Sequence, residues 1–248
     1  MSNLQGDNIK RIFLWSGPRN ISTALMYSFA QRPDAKVFDE PFYAYYLRHS
    51  NALSYHPGAK QVLSTMENDG QKVLKMVQEY NAFPVLFFKN MSHHIFDIDL
   101  AFTKQLTNVI LTRNPKQMLL SYDKVIKNPT LKDVGYKAHL DLVNYFEENG
   151  IDYIVIDSSS ILKNPNNSLR LLCSSIEIPF FDSMLTWPKG GIKEDGVWAK
   201  FWYKNVHNSE GFQKYKSSNK VLPEHLVPLY EEAKPYYDAL MKKAHIWE

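Results

Sequence analysis

The sequence predicts a three-layer α/β/α fold around a mainly parallel central sheet of about five strands. Short apolar runs alternate with longer stretches of helical period, as strands alternate with crossover helices. The runs are too short and too uniformly apolar to own a solvated face, so they belong in a sheet covered on both sides. With 248 residues, 44% of them hydrophobic, the chain can bury a full core as a single domain spanning residues 1–248.

The predicted strands are Ile12 to Trp15, Lys36 to Phe38, Val85 to Phe88, Asn108 to Leu111 and Tyr153 to Ile156. Helical spacing links Ile21, Ala24, Leu25, Ser28 and Phe29 after the first strand. It also links Met118, Leu119, Tyr122, Val125 and Ile126 after the fourth. A further helix is expected from Leu131 to Asn149, with Gly150 free to take the positive φ of a C-cap. Beyond Pro179, four aromatics (Trp187, Trp198, Trp202 and Tyr203) and several glycines crowd a segment without a clean period. It reads as an irregular cap at about 180–215. A closing helix from Pro223 to Lys243 is expected to kink at Pro235.

The net charge of +3 is small and its 29 basic residues are dispersed, unlike the dense basic face that tracks a nucleic-acid backbone. A small anionic ligand fits this balance, and nucleic acid is not an expected partner. No segment approaches the roughly 20 apolar residues of a membrane span, and Met1 to Lys10 lacks the apolar core of a signal peptide. One cysteine, Cys173, cannot form an internal disulfide and reads as a small buried apolar group. The expected location is the cytoplasm. Periodicity alone assigns no oligomeric state.

Between the first strand and its helix lie Ser16, Gly17, Pro18, Arg19, Asn20, Ile21, Ser22 and Thr23. A strand, a Gly/Pro turn and a helix N-terminus converge unpaired N–H groups and the positive end of the helix dipole on one anion site. Arg19 adds a guanidinium fork, and Ser22 and Thr23 add hydroxyls. Aligned from Gly17, a nucleoside-triphosphate loop would place Gly, Lys and Ser/Thr where Ser22, Thr23 and Ala24 stand. The lysine and the metal-holding hydroxyl are absent from those places. The competing structural reading is a helix capped by Ser or Thr with no ligand.

A second anion site is expected in Val109 to Tyr122. The strand delivers Arg113 at its C-terminal end, where open α/β sheets bind ligands. Asn114 can cap the next helix, Pro115 suits its first position, and Ser121 lies about two turns in.

Arg113-Asn114-Pro115, with Ser121 eight residues after the arginine and Tyr122 beside it, resembles the 3′-phosphate motif of the sulfotransferase family. Ser16 to Thr23 likewise resembles that family's 5′-phosphosulfate loop. A looser likeness joins Lys189-Gly190 and Gly196-Val197-Trp198-Ala199-Lys200 to its late Lys-Gly and Gly-x-Trp-Lys segment. The resemblance implies a P-loop NTPase-like fold, 3′-phosphoadenosine 5′-phosphosulfate as co-substrate, and a small-molecule acceptor. It carries over Gly17, Pro18, Arg19, Asn20, Ile21, Ser22, Thr23, Arg113, Ser121, Lys189 and Gly190 as nucleotide-binding positions. The chain departs at Ile21, which replaces the loop glycine, and at Leu25, where many members place tryptophan against the adenine. Trp198 or Trp202 could substitute.

Sulfuryl transfer builds charge on the leaving phosphate, so catalysis should rest on positioning and fixed positive charge; Arg19, the loop N–H groups and Lys89 are candidates. The sequence shows no Cys/His cluster or carboxylate cage of metal-site spacing, so no metal is expected. Two bases are open. Glu40, in Asp39-Glu40-Pro41, follows the second strand, where several relatives of this kind carry a catalytic glutamate. His93, or its neighbour His94, follows the third strand near a Lys-Thr-His position of cytosolic members. Aromatics bracketing Glu40 favour it by raising its pKa. An acceptor pocket is expected from Phe42, Tyr43, Tyr45, Tyr46 and Tyr203. A small-molecule kinase of the same fold and a noncatalytic nucleotide-binding protein remain as alternative readings.

Overall fold

A computed structural model describes residues 9–215 and 220–245. The strands are β1 (Lys10–Ser16), β2 (Ala35–Asp39), β3 (Val85–Met91), β4 (Thr107–Thr112) and β5 (Tyr153–Asp157). They form one sheet in the order β2-β3-β1-β4-β5, and every pairing is parallel. The five expected runs are the cores of these strands, lengthened by one to three residues at an end.

Helices follow the strands as α1 (Ser22–Ala30), α2 (Tyr43–Arg48), α3 (Ala59–Thr65), α4 (Gly70–Glu79), α5 (Pro115–Tyr122), α6 (Leu131–Val134) and α7 (Tyr136–Glu148). Then come α8 (Ser158–Lys163), α9 (Pro165–Ser175), α10 (Ala199–Trp202), α11 (Lys204–His207) and α12 (Val227–Met241). Successive strand residues point to opposite faces. Ile12 and Leu14 therefore meet Leu25, Met26 and Phe29 of α1 and Leu169 and Leu172 of α9. Phe13 and Trp15 meet Val73 and Val77 of α4 and Val143 and Phe146 of α7 on the other side. Two cores sandwich the sheet, giving the three layers.

Where the helices differ from expectation, a local cause is visible. The stretch 131–149 is two helices because Gly135, at φ 75°, breaks it; Thr130 and Asp133 close a capping box ahead of the break. α7 ends as expected: Gly150 has φ 62°, and Ile151 N–H reaches Phe146 O at 2.8 Å in a Schellman arrangement. α5 stops at Tyr122, so Val125 is exposed rather than on the helix's inner face. Its start is as expected, Asn114 accepting from Lys116 N–H at 3.1 Å before Pro115. Cys173 is buried against Met184 and Arg32. Among the described residues, no helix is long and apolar enough to cross a membrane.

Candidate active site

β1 delivers the first loop to the C-terminal edge of the sheet, beside the ends of β3 and β4. Gly17 is required there by space: a Cβ would come within 2.9 Å of Val134 O and 3.1 Å of Asn20 Nδ2. Asn20 Nδ2 donates to Leu111 O at 3.0 Å, tying the loop to β4. Arg19 and Ile21 both have left-handed backbones, φ 59° and 63°. For β-branched Ile21 this is a strained conformation that only its surroundings impose, of the kind that concentrates at functional sites. Ile21 is the N-cap of α1 and offers no side-chain hydrogen bond. Neither Ser22 nor Thr23 is the N-cap of the helix, so neither has the capping role that the sequence allowed. The first N–H groups of α1 and its positive dipole end face the cavity instead.

The second site joins the first. Arg113 Nη1 donates to Arg19 O at 2.7 Å. Arg19 Nε donates to Ser121 Oγ at 3.0 Å and its Nη1 to Trp202 O at 3.2 Å. Neither guanidinium forms an ion pair with a carboxylate among the described residues, and Arg113 Nε is buried without a partner. Burial lowers the pKa of both, and Arg113's charge lowers that of Arg19 further. Two half-desolvated cations side by side, with an open N–H, fit a multiply charged phosphate or sulfonate.

At the ends of β2 and β3, Lys89 spends all three ammonium protons. It donates to Asp39 Oδ1 at 2.8 Å, Glu40 Oε1 at 2.5 Å and Tyr203 Oη at 2.6 Å. Tyr203 in turn donates to Asp39 and accepts from Trp198 Nε1 at 3.0 Å. Burial would depress the Lys89 pKa, but the two carboxylates raise it, so it stays charged. Burial raises the Glu40 carboxyl above its usual range; Lys89 opposes this and Asp39 reinforces it. Glu40 also has a left-handed backbone, φ 48°. Its N–H is held by Lys89 O at 2.8 Å, which pins the base candidate between β2 and β3.

Four imidazoles lie behind these groups. Burial pushes His93 down to about 3, and His56 and His139 to about 4. Burial likewise holds His94 well below its usual value. All four are neutral near pH 7. His94 stacks between Tyr43 and Tyr46, ring centroids 4.9 and 4.3 Å away. Its Nδ1 stands 3.7 Å from Glu40 Oε2, beyond hydrogen-bond length.

A cavity of about 770 Å³ unites these groups. Its walls include Pro18 to Thr23, Glu40, Lys89, His93, Arg113 and Ser121. Lys189 and Gly190 lie outside it: Lys189 is exposed and pairs with Glu210 at 3.6 Å. The cap turns that segment away because Gly190 N–H bonds to His207 O. Of the expected acceptor aromatics, Tyr43 and Tyr203 line the cavity. Phe42 and Tyr45 instead face the core of the α4/α7 layer, and Tyr46 packs on the opposite side of the sheet. Trp198 and Trp202 both reach the cavity wall, Trp198 chiefly as buried core. Sequence reasoning missed Asp39 as Lys89's second partner, and His56, Tyr122 and Phe212 to Tyr215 as wall residues. Two adjacent carboxylates at a strand end were the available sign for Asp39. Among the described residues, no cluster of three or more His, Cys, Asp or Glu is placed to hold a metal ion.

The family described as Sulfotransferase domain matches residues 10–244. Two curated relatives from Arabidopsis thaliana are named branched-chain-amino-acid aminotransferase-like proteins 1 and 2. The first is 37% identical over 237 residues, 95% of this chain and 42% of its own length. The second is 35% identical over 231 residues, 92% of this chain and 41% of its own length. The chain thus spans about two-fifths of the length of these relatives. Among solved structures, the sulfotransferase domain of the Synechococcus PCC 7002 olefin synthase superposes with a TM-score of 0.53 at 14% identity. That match covers 93% of this chain and 97% of that one. The sulfotransferase domain from the curacin biosynthetic pathway gives 0.55 at 14% identity, covering 98% and 100%. These two likenesses carry the fold, while the family match over residues 10–244 shows that this chain belongs to the sulfotransferase domain family.

Proposed function

We propose that the chain transfers a sulfuryl group from 3′-phosphoadenosine 5′-phosphosulfate to a hydroxyl or amine of a small-molecule acceptor. The observation that carries this reading is the pairing of Arg19 and Arg113, without carboxylate partners among the described residues, beside the uncapped start of α1. The donor supplies the sulfuryl group and leaves as the 3′,5′-bisphosphate. Arg113 and Ser121 would hold its 3′-phosphate, and Gly17 to Thr23 its 5′ end. A kinase reading needs a lysine where Thr23 stands and gives Arg113 and Ser121 no corresponding task.

The residues divide the chemistry. Arg19 and the α1 N–H groups lie where charge builds on the leaving phosphate, so their stabilisation grows along the reaction. Glu40, with its affinity for protons raised by burial, takes the acceptor's proton. Lys89 fixes the orientation of that carboxylate through the 2.5 Å bond. His93 and His94 are neutral and farther back; they shape the wall beside Glu40. Trp202 and Tyr203 of the cap exclude water from the reacting groups. The buried single Cys173 fits a cytoplasmic setting.

Incubation with the donor and a panel of small hydroxyl and amine compounds, read by mass spectrometry, tests the proposal. It expects sulfated product and 3′,5′-bisphosphate in equal amounts. Donor hydrolysis at the same rate with and without every acceptor would contradict it.

A further inference from the structure

Two carboxylates, Asp39 and Glu40, share the single ammonium of Lys89 in a buried site, and their surroundings are unequal. Asp39 accepts from Lys89, from Tyr203 through both oxygens at 2.7 and 2.8 Å, and from Gly196 N–H at 3.1 Å. Among the described residues Glu40 accepts from Lys89 alone, with its other oxygen 3.7 Å from a neutral imidazole. A carboxylate with several donors keeps its charge; one beside a like charge and short of donors keeps its proton longer. Two of the donors that favour Asp39, the Tyr203 hydroxyl and the Gly196 N–H, come from the cap rather than the sheet.

We propose that Tyr203 is a positioning residue: by donating to both oxygens of Asp39 and taking up one proton of Lys89, it leaves Glu40 the donor-poor carboxylate and reserves it as the proton acceptor. The cap thereby prepares the base as well as covering it. The groups facing Glu40 are Asp39 on its own strand end, Lys89 from β3, Tyr43 from α2, His94 from the 3-10 turn Ser92–His94, and Tyr203 from the cap. His94 is neutral, and burial holds the Tyr43 and Tyr203 hydroxyls far above their usual values, so they stay neutral as well. Burial raises the Glu40 carboxyl first, and beyond burial its titration answers to Lys89, Asp39 and whatever Tyr203 does to them. Without the hydroxyl, the Lys89 proton that Tyr203 accepts is free to turn to the carboxylates. This change favours the ionised form of Glu40.

The catalytic meaning of this assignment rests on Glu40 being the base of the proposed reaction, but the charge split itself does not. Carboxyl-carbon NMR titration of the intact protein, with Glu40→Gln to assign the signal, needs neither donor nor acceptor. In wild type the Glu40 signal should titrate above the ordinary glutamate range. In Tyr203→Phe it should move to lower pH by about half a unit or more, since it loses the bias described. Asp39→Asn, which removes the like charge and also alters the contacts with Tyr203 and the Gly196 N–H, should move it further in the same direction. An unchanged or upward midpoint in a folded Tyr203→Phe overturns the proposal; so does an unchanged midpoint in Asp39→Asn should the first variant not fold. Failure to bind adenosine 3′,5′-bisphosphate would sink the sulfotransferase reading and leave this titration as it is.

Discussion

Arg113 donates a 2.7 Å hydrogen bond to the carbonyl oxygen of Arg19, 94 residues earlier in the chain. That bond makes one anion site of two loops, because it fixes the left-handed turn of the first loop from the end of β4. The contact uses one arm of a planar fork and leaves the rest for a ligand. A lysine offers a single point charge and no fork. Arg113→Lys should therefore weaken binding of adenosine 3′,5′-bisphosphate by about tenfold or more, the scale of one lost charge-assisted hydrogen bond. Calorimetry on the folded variant checks this.

Glu40→Gln keeps the shape of the site and removes the proton acceptor. Turnover should fall by about 10²–10⁴, the usual contribution of a positioned base, with bisphosphate affinity unchanged. Activity within about twofold of wild type would return the role to the histidines.

The same substitution should change stability with pH. The Glu40 pKa is raised in the folded protein from an ordinary 4.5. Folded wild type thus holds more protons than the unfolded chain above that pH, and its stability falls as pH rises toward the folded value. Glu40→Gln lacks this dependence. Its stability relative to wild type should increase between about pH 4.5 and neutrality, measured by urea denaturation across that range.

The histidines act in the opposite sense. His93, lowered to about 3, and His56 and His139, lowered to about 4, stay neutral when folded. Unfolding lets each take a proton below its ordinary 6.5. Their contribution is whole above 6.5 and is lost as pH falls from there toward 3 to 4. Each buried histidine in this window adds roughly 1.4 kcal/mol per pH unit to the slope. His139→Gln should reduce that slope, as read from denaturation midpoints at pH 5 and pH 7.

Gly17→Ala places a methyl group within 2.9 Å of Val134 O. The backbone oxygen cannot move without disturbing α6, so the loop must shift, at a cost of about 1–3 kcal/mol. A lower melting temperature together with weaker bisphosphate binding is the expected outcome; an unchanged melting temperature would show that the loop absorbs the group.

Strand positions were legible in the sequence because parallel strands buried on both faces are uniformly apolar, as in Phe13 to Trp15 and Leu86 to Phe88. The two arginines were legible because each ends a strand and precedes a helix with turn chemistry of its own, Gly17-Pro18 and Asn114-Pro115. The break at Gly135 was hidden by apolar periodicity that continues through both helices. That Lys189 and Gly190 stand outside the cavity wall could not be read, because the cap has no period to fix its path. Asp39 and Tyr203 meet across 164 residues, and no local pattern announces a contact of that separation. The aromatics after Glu40 carried no mark of which side of the sheet they serve: Tyr43 reached the cavity, whereas Phe42 and Tyr45 entered a core.

Arg19 and Arg113 are proposed to form a site for a 3′-phosphorylated nucleotide. Calorimetric titration with adenosine 3′,5′-bisphosphate, beside ADP with magnesium, on wild type and Arg113→Ala tests it most directly. The expected result is binding of the 3′-phosphorylated nucleotide in preference to ADP, lost in Arg113→Ala. Preference for ADP with magnesium, or binding that survives Arg113→Ala, would contradict it.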